Sequence, residues 1–166
     1  IPAPLIMTGI FAAFGNPAVQ AAYQRLFEAG NEAARWLGYV AAFDQKMKAA
    51  GYPGLAGGFS KAPFDVIGDT LRGTRGIMLD IYRQPEKLLE ALDAITPMMV
   101  HMGAAAVRRS GKPAVMMPLH KGADGFLSDE QFRRFYWPSF KKLVMGLIDE
   151  GCIAYSFVEG GYNSRL

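Results

Sequence analysis

Three residues in one short stretch could move protons or grip a ligand: His120, Lys121 and Asp124, within the run LHKGADG. An imidazole near a carboxylate can pass protons or hold a metal ion, and a lysine beside them can pair with an anionic substrate group. The structural alternative is that Asp124 satisfies loop amides and His120 packs at a rim. Glu159 is a further carboxylate, followed by Gly160 and Gly161, whose missing side chains let a ligand approach the backbone. It suits a general acid or base or a substrate clamp; a loop hydrogen-bond acceptor is its structural alternative. Tyr162 and Asn163 follow in the same loop as candidate substrate contacts. Lys61, Arg72 and Arg75 are cations suited to substrate carboxylates. Asp69 precedes Arg72 by three positions, where a helix would make the two a simple ion pair. His101, between Val100 and Met102, reads as a packing residue. Phe135-Tyr136-Trp137 reads as core rather than a stacking platform, and the nine methionines as filler on apolar faces.

Such residues need a scaffold that delivers them to one rim. The stretch from Lys112 to Trp137 has the form strand, loop, helix. Ala114-Val115-Met116-Met117, closed by Pro118, suits a strand buried on both faces. Ser128 and Gln131 make a capping box, and Phe132, Phe135, Tyr136, Phe140, Leu143, Val144 and Leu147 then recur at helical spacing. In parallel α/β folds ligands meet the loops at the carboxyl ends of the strands, which places His120, Lys121 and Asp124 where chemistry is expected.

Elsewhere, residues 1–15 read as a loop or short strand. Asn16 and Pro17 start a helix that runs to Gly30, and a second helix covers Asn31 to Ala50, ended by Gly51. The glycines of GLAGGF, residues 54–59, imply a short strand with another backbone or a ligand close by. Phe64 to Arg72 is a short helix, Gly73 and Gly76 break the region, and residues 77–83 are helical again. A long helix from Glu86 to about Arg109 buries Leu88, Leu89, Leu92, Ile95, Met99 and Met102, with a kink expected at Pro97. Ile153 to Val158 form a buried strand that delivers Glu159. Three strands joined by helical crossovers imply parallel pairing. The fold class is therefore α/β: a section of a (β/α)₈ TIM barrel, about three parallel βα units with long helices, where the closed barrel takes about 250 residues. A flavodoxin-like open sheet is the alternative, but its phosphate-binding glycine loop is missing.

The chain has 166 residues, the size of one domain, and 51% of them are apolar. Its net charge of +3 is dispersed, which makes nucleic acid an unexpected partner. One cysteine, Cys152, excludes an intramolecular disulfide framework and fits a reducing cytoplasm. No apolar run approaches the roughly 20 residues of a membrane span, so no membrane partner is expected. Ile1 opens the chain without an initiator methionine, and Leu166 closes it just after a strand and loop. That is the expectation for a piece of something longer, poorly active alone because strand edges and apolar helix faces stay uncovered. The remainder of a barrel, or a second copy, would cover them.

The ordered series Tyr52-Pro53-Gly54 through Gly58-Phe59, Ala62-Pro63-Phe64, Tyr82-Arg83-Gln84-Pro85-Glu86, Asp124-Gly125-Phe126-Leu127-Ser128, Phe135-Tyr136-Trp137-Pro138 and Val158-Glu159-Gly160 resembles the uroporphyrinogen decarboxylase superfamily. The resemblance covers the chain from about residue 17 and implies a middle section of a (β/α)₈ barrel. The chain carries Asp69 where true decarboxylases of that family have a substrate-binding tyrosine, and Gly122 where they have a serine. An aspartate there is unfavourable for a polyanionic porphyrinogen, by like-charge repulsion. The His-Lys-Gly-Ala-Asp loop and Glu-Gly-Gly-Tyr-Asn tail are more similar to the cobalamin-dependent methyltransferase and O-demethylase branch. What that resemblance implies is methyl transfer between a small-molecule substrate and the corrinoid of a partner protein, with no cofactor held by this segment alone. His120, Asp124 and Glu159 would be the acid/base or positioning groups, and Lys61, Asp69, Arg72, Lys121, Tyr162 and Asn163 would bind substrate. Thiol-using members bind zinc through His-x-Cys and a distant Cys, a set this sequence lacks, so zinc is expected only with ligands from outside the chain. Decarboxylation of uroporphyrinogen III and a non-catalytic tetrapyrrole- or corrinoid-protein-binding module are the alternatives.

Overall fold

The computed structural model describes residues 3–165; Ile1, Pro2 and Leu166 lie outside the described residues. The chain divides into two compact units, Ile1–Pro53 and Gly54–Leu166.

The first unit is helical. Helix α1 spans Ala3–Ala13, which corrects the expectation of a loop or short strand there. Proline costs nothing in a first helical turn, where its missing N–H has no partner to lose, so Pro4 does not prevent this helix. Helix α2 spans Pro17–Ala49 as one element, capped by the Asn16 side chain, which accepts from the Ala18 amide at 2.8 Å. The expected break at Gly30 is absent. A glycine inside a helix costs only about 1 kcal/mol, and the alanines and long side chains around it propagate the helix past it. The C-terminal stop is as expected, with Gly51 at φ 88°.

The second unit holds the sheet. Strands β1 (Ala56–Phe59), β2 (Ala114–Leu119) and β3 (Ile153–Val158) lie in the order β1-β2-β3, all parallel. Sequential order is the order of strands around a barrel. Between β1 and β2 come α3 (Pro63–Val66), a π-helical turn (Ile67–Leu71), α4 (Gly73–Arg83) and α5 (Pro85–Ser110). Between β2 and β3 come α6 (Asp129–Gln131), a second π-helical turn (Phe132–Tyr136) and α7 (Trp137–Asp149). A 3₁₀ turn, Asn163–Arg165, follows β3. Among the described residues no helix is long and apolar enough to cross a membrane.

The helices cover one face of the sheet. Val115, Met117 and Leu119 point into that layer with Leu92, Leu143 and Leu147, all buried. Glycines let α5 and α7 approach: a Cβ on Gly103 would lie 2.9 Å from a Leu147 methyl, and one on Gly146 2.7 Å from Val100. The opposite face carries Phe59, Ile153 and Phe157, each more than half exposed. In β1 the glycines serve a close backbone approach, as expected. A Cβ on Gly57 would collide with the Lys112 carbonyl, and one on Gly58 would lie 3.0 Å from the Gly103 carbonyl. The strand register shifts at this point.

Several smaller expectations change, beginning with β3, which was expected to be buried but has most of its residues exposed. Strand β2 does not stop at Pro118 but runs through it to Leu119. The Ser60 amide donates to the Met116 carbonyl and the Glu159 amide to that of Leu119, so alternate residues of β2 face alternate neighbours. Pro118 faces the β1 side, and β1 has already ended at Phe59, so its missing N–H breaks no ladder. Gly76 does not break the chain but lies inside α4, which starts at Gly73 with φ 67°. Helix α5 runs through Pro97 as one long element, as expected. Met102 is exposed rather than buried, because it points roughly 60° round the helix from Met99, at the edge of the stripe of Leu88, Leu92 and Met99. His101 is also exposed, and Trp137 is partly so, whereas Phe135 and Tyr136 are core.

Candidate functional site

Each strand hands over polar residues at its carboxyl end, or just beyond it. Lys61 follows β1, His120 and Lys121 follow β2, and Glu159 follows β3. The fifth member, Asp69, comes from the π-helical turn Ile67–Leu71. That turn closes with the Arg72 amide donating to the Ile67 carbonyl, five residues back, at 2.8 Å. One extra residue in the turn rotates Asp69 inward and Arg72 away. The expected Asp69–Arg72 ion pair is therefore not made. Arg72 instead forms a two-pronged bond with Asp80, at 2.6 and 2.9 Å, and Gln84 donates to the same carboxylate at 2.7 Å. The Asp80 carboxyl is held below its usual range, first by Arg72.

Asp69 is the common partner of the site. Its Oδ2 lies 2.9 Å from Lys61 Nζ and 2.9 Å from His120 Nδ1, and its Oδ1 pairs with Lys121 Nζ. Lys121 reaches it with its stem lying over Gly68, where a Cβ would sit 2.8 Å from Lys121 Cδ. Burial pulls the Asp69 carboxyl upward, but bonds from Lys121, Lys61 and His120 outweigh that and hold it well below the ordinary carboxylate range. The other imidazole nitrogen, Nε2 of His120, is 3.4 Å from Oε2 of Glu159. The His120 side chain thus bridges two carboxylates. It is 28% exposed and Glu159 is 52% exposed, so the face toward solvent is open to a ligand.

Of the expected acid/base residues, His120 and Glu159 come together and Asp124 does not join them. Asp124 accepts from the Ser164 hydroxyl at 2.7 Å and lies 3.4 Å from Arg165 Nε. The Ser164 hydroxyl is the first cause of its lowered pKa. Its backbone amide donates to the Gly161 carbonyl at 2.7 Å. It ties the two site loops together, as an acceptor for their polar groups, because the chain reverses between His120 and Asp124. Lys61, Lys121 and Asp69 meet in the site, whereas Arg72 lies outside it. Asn163 is exposed at the start of the 3₁₀ turn. The Tyr162 ring packs on the core, and its buried hydroxyl has no hydrogen bond of normal geometry among the described residues. Burial pushes that hydroxyl up to about 12.

Two residues escaped the sequence reading. Arg165, with its side chain 4% exposed, donates to the Gly122 and Leu127 carbonyls at 3.3 and 2.6 Å, pairs with Asp129 and stacks on Phe132. Asp65, fully buried on α3, lies within hydrogen-bond distance of the backbone amides of His120 and Lys121. A charged residue in an otherwise apolar APF-x-VI run was the available signal for Asp65; Arg165 had none. Among the described residues no group of three or more His, Cys, Asp or Glu side chains could hold a metal ion. Cys152 is buried at the start of β3, at the end of the sheet opposite the site.

No curated protein and no solved structure matches the chain. A family model does, that of uroporphyrinogen decarboxylase (URO-D), over residues 8–166. With sequentially ordered parallel strands, a polar cluster at their carboxyl ends and a family match across nearly its whole length, the chain belongs to the uroporphyrinogen decarboxylase family.

Proposed function

We propose that this URO-D superfamily enzyme domain serves methyl transfer between a small methylated substrate and a corrinoid carried by a partner protein. The observation that supports this reading is the His120 imidazole set between Asp69 and Glu159, at 2.9 and 3.4 Å, with both nearby lysines already engaged by Asp69. When a methyl group leaves an oxygen or nitrogen, the bonding electrons stay on that atom, which then takes up a proton. Glu159 and Nε2 of His120 stand at the open side of the cluster, where they can deliver that proton. Asp69 accepts at Nδ1 and so fixes the ring and balances an imidazolium. The corrinoid, when bound, supplies the metal centre that receives the methyl group. The half-exposed Glu159 leaves an approach from solvent for a group held by another protein. Zinc does not fit the described side chains, and no step is assigned to it.

Decarboxylation is less well supported, because a polyanionic porphyrinogen needs unpaired cations. Here Lys61 and Lys121 share the ionised Asp69. The test is to incubate the full chain with reduced cobalamin and a panel of aromatic methyl ethers, methylamines and methanol, following methylcobalamin. Uroporphyrinogen III is assayed in parallel by chromatography of its products. Methylcobalamin formation that is lost in His120→Ala and Glu159→Gln is the expected result. Turnover of uroporphyrinogen alone would replace the reading by decarboxylation, and cobalamin binding without any turnover would replace it by a binding module.

A further inference from the structure

We propose that Asp65 is a positioning residue, a backbone clamp that sets the orientation of the His120 and Lys121 side chains in the site. The proposal rests on reading that cluster as the reacting centre, and it adds a role for a group that touches no ligand.

A carboxyl group without solvent contact is costly unless its oxygens are fully used. Asp65 is 0% exposed. Its Oδ1 accepts from the Lys121 amide at 2.8 Å, and its Oδ2 accepts from the His120 amide at 3.0 Å and the Tyr136 hydroxyl at 2.7 Å. An aspartate in the first turn of a helix ordinarily serves its own orphan amides. None of these three bonds is local: the donors lie 55, 56 and 71 positions away in the chain. The carboxyl is thus committed to the loop after β2, at the point where that strand's last carbonyl, Leu119, has been used by Glu159. Beyond Leu119 the sheet no longer dictates the backbone, and Asp65 takes over.

Asp65 and Asp69 stand four residues apart, one helical turn, on the segment that crosses this loop. They grip the same dipeptide in different places. Asp65 holds the two main-chain amides of His120 and Lys121, while Asp69 holds the Nδ1 and Nζ atoms of the same two residues. A backbone fixed at both amides leaves only the side-chain torsions free, and Asp69 selects among those. Tyr136 completes the clamp from below. A Cβ on Gly122 would lie 2.7 Å from its ring, so the loop runs flat across the phenol. Burial, and then the Asp65 charge, push the Tyr136 hydroxyl strongly upward, so it stays a donor.

The test uses the full chain without substrate, so that it is independent of whether methyl transfer is the reaction. Asp65→Asn keeps the volume but sets an NH₂ against one of the two amides. Lys121 acetylation by acetic anhydride is followed by peptide mass spectrometry, with exposed Lys141 as reference. Ring resonances of His120 are followed by NMR, with His101, the other histidine and an exposed one, as reference. The expected result is about a tenfold rise in Lys121 labelling, the effect of one weakened hydrogen bond, with displaced His120 resonances and unmoved references. Tyr136→Phe keeps both amide bonds but removes one of the two bonds to Oδ2, and should raise Lys121 labelling by a smaller factor. A lower melting temperature in Asp65→Asn with wild-type labelling and His120 resonances would mean a purely structural residue and overturn the proposal. If Asp65→Asn does not fold, unchanged labelling in Tyr136→Phe overturns it.

Discussion

The His120 imidazole and the Asp69 carboxylate meet at 2.9 Å although they are 51 positions apart in the chain. Asp69 also binds Lys61 and Lys121, so Asp69→Asn should leave two lysines and a histidine facing a neutral amide. A loss of about 1–2 kcal/mol in unfolding free energy is expected, the low part of the range for hydrogen bonds to charged groups because the side chain is partly open to solvent. The folded-state pKa of Asp69 lies below its ordinary 3.8. Its contribution is therefore complete above that value and fades as the pH falls toward the lower one. Urea titrations between pH 7 and pH 2 should show a wild-type acid limb that is shallower in Asp69→Asn; parallel curves would remove Asp69 as the hub.

Gly122→Ala tests the contact between the site loop and the core. The new methyl would stand 2.7 and 2.8 Å from Tyr136 ring atoms, under van der Waals distance to a side chain that is itself fully buried. Overpacking of this kind costs about 1–3 kcal/mol. Thermal denaturation measures it, and an unchanged midpoint would show that the loop can lift off Tyr136 freely.

Tyr162→Phe separates substrate contact from packing. The hydroxyl lies against the Tyr136 hydroxyl and the Gly122 backbone without a hydrogen bond of normal geometry, so its removal should change stability by less than about 1 kcal/mol. A fall in turnover with no fall in stability would assign the hydroxyl to substrate.

Arg72→Ala should leave substrate affinity unchanged, since the guanidinium is bound to Asp80 outside the cluster. The price is structural: Asp80, 5% exposed, keeps only Gln84 among its described partners. Equilibrium unfolding should detect the loss, and a raised KM at wild-type stability would return Arg72 to the site.

The strand–loop–helix stretch was legible because its signals are local. The Ser128–Gln131 capping box forms in both directions, at 3.2 and 3.0 Å, as its residue types dictate. Glu159 and His120 were legible as strand-end residues, since parallel strands deliver their carboxyl ends to one rim. What was not legible depends on helical register. The spacing of Asp69 and Arg72 implies a pair only if the helix is α, and the turn is π. Asp124 was placed by loop proximity, whereas its partners Ser164 and Arg165 come from the far end of the chain. Gly30 shows that a glycine signals a helix end only when the neighbours on both sides cease to favour a helix.

Both π-helical turns hold a residue of the cluster or its support, Asp69 in Ile67–Leu71 and Tyr136 in Phe132–Tyr136. Such a turn is an ordinary helix carrying one surplus residue. Deleting a single residue from either would let the segment relax into regular winding and swing everything beyond it by roughly 100°. The chain's length at these two places is thus part of its chemistry: a one-residue shortening would keep the helices and the sheet yet aim the carboxylate, or the phenol, at the wrong neighbour.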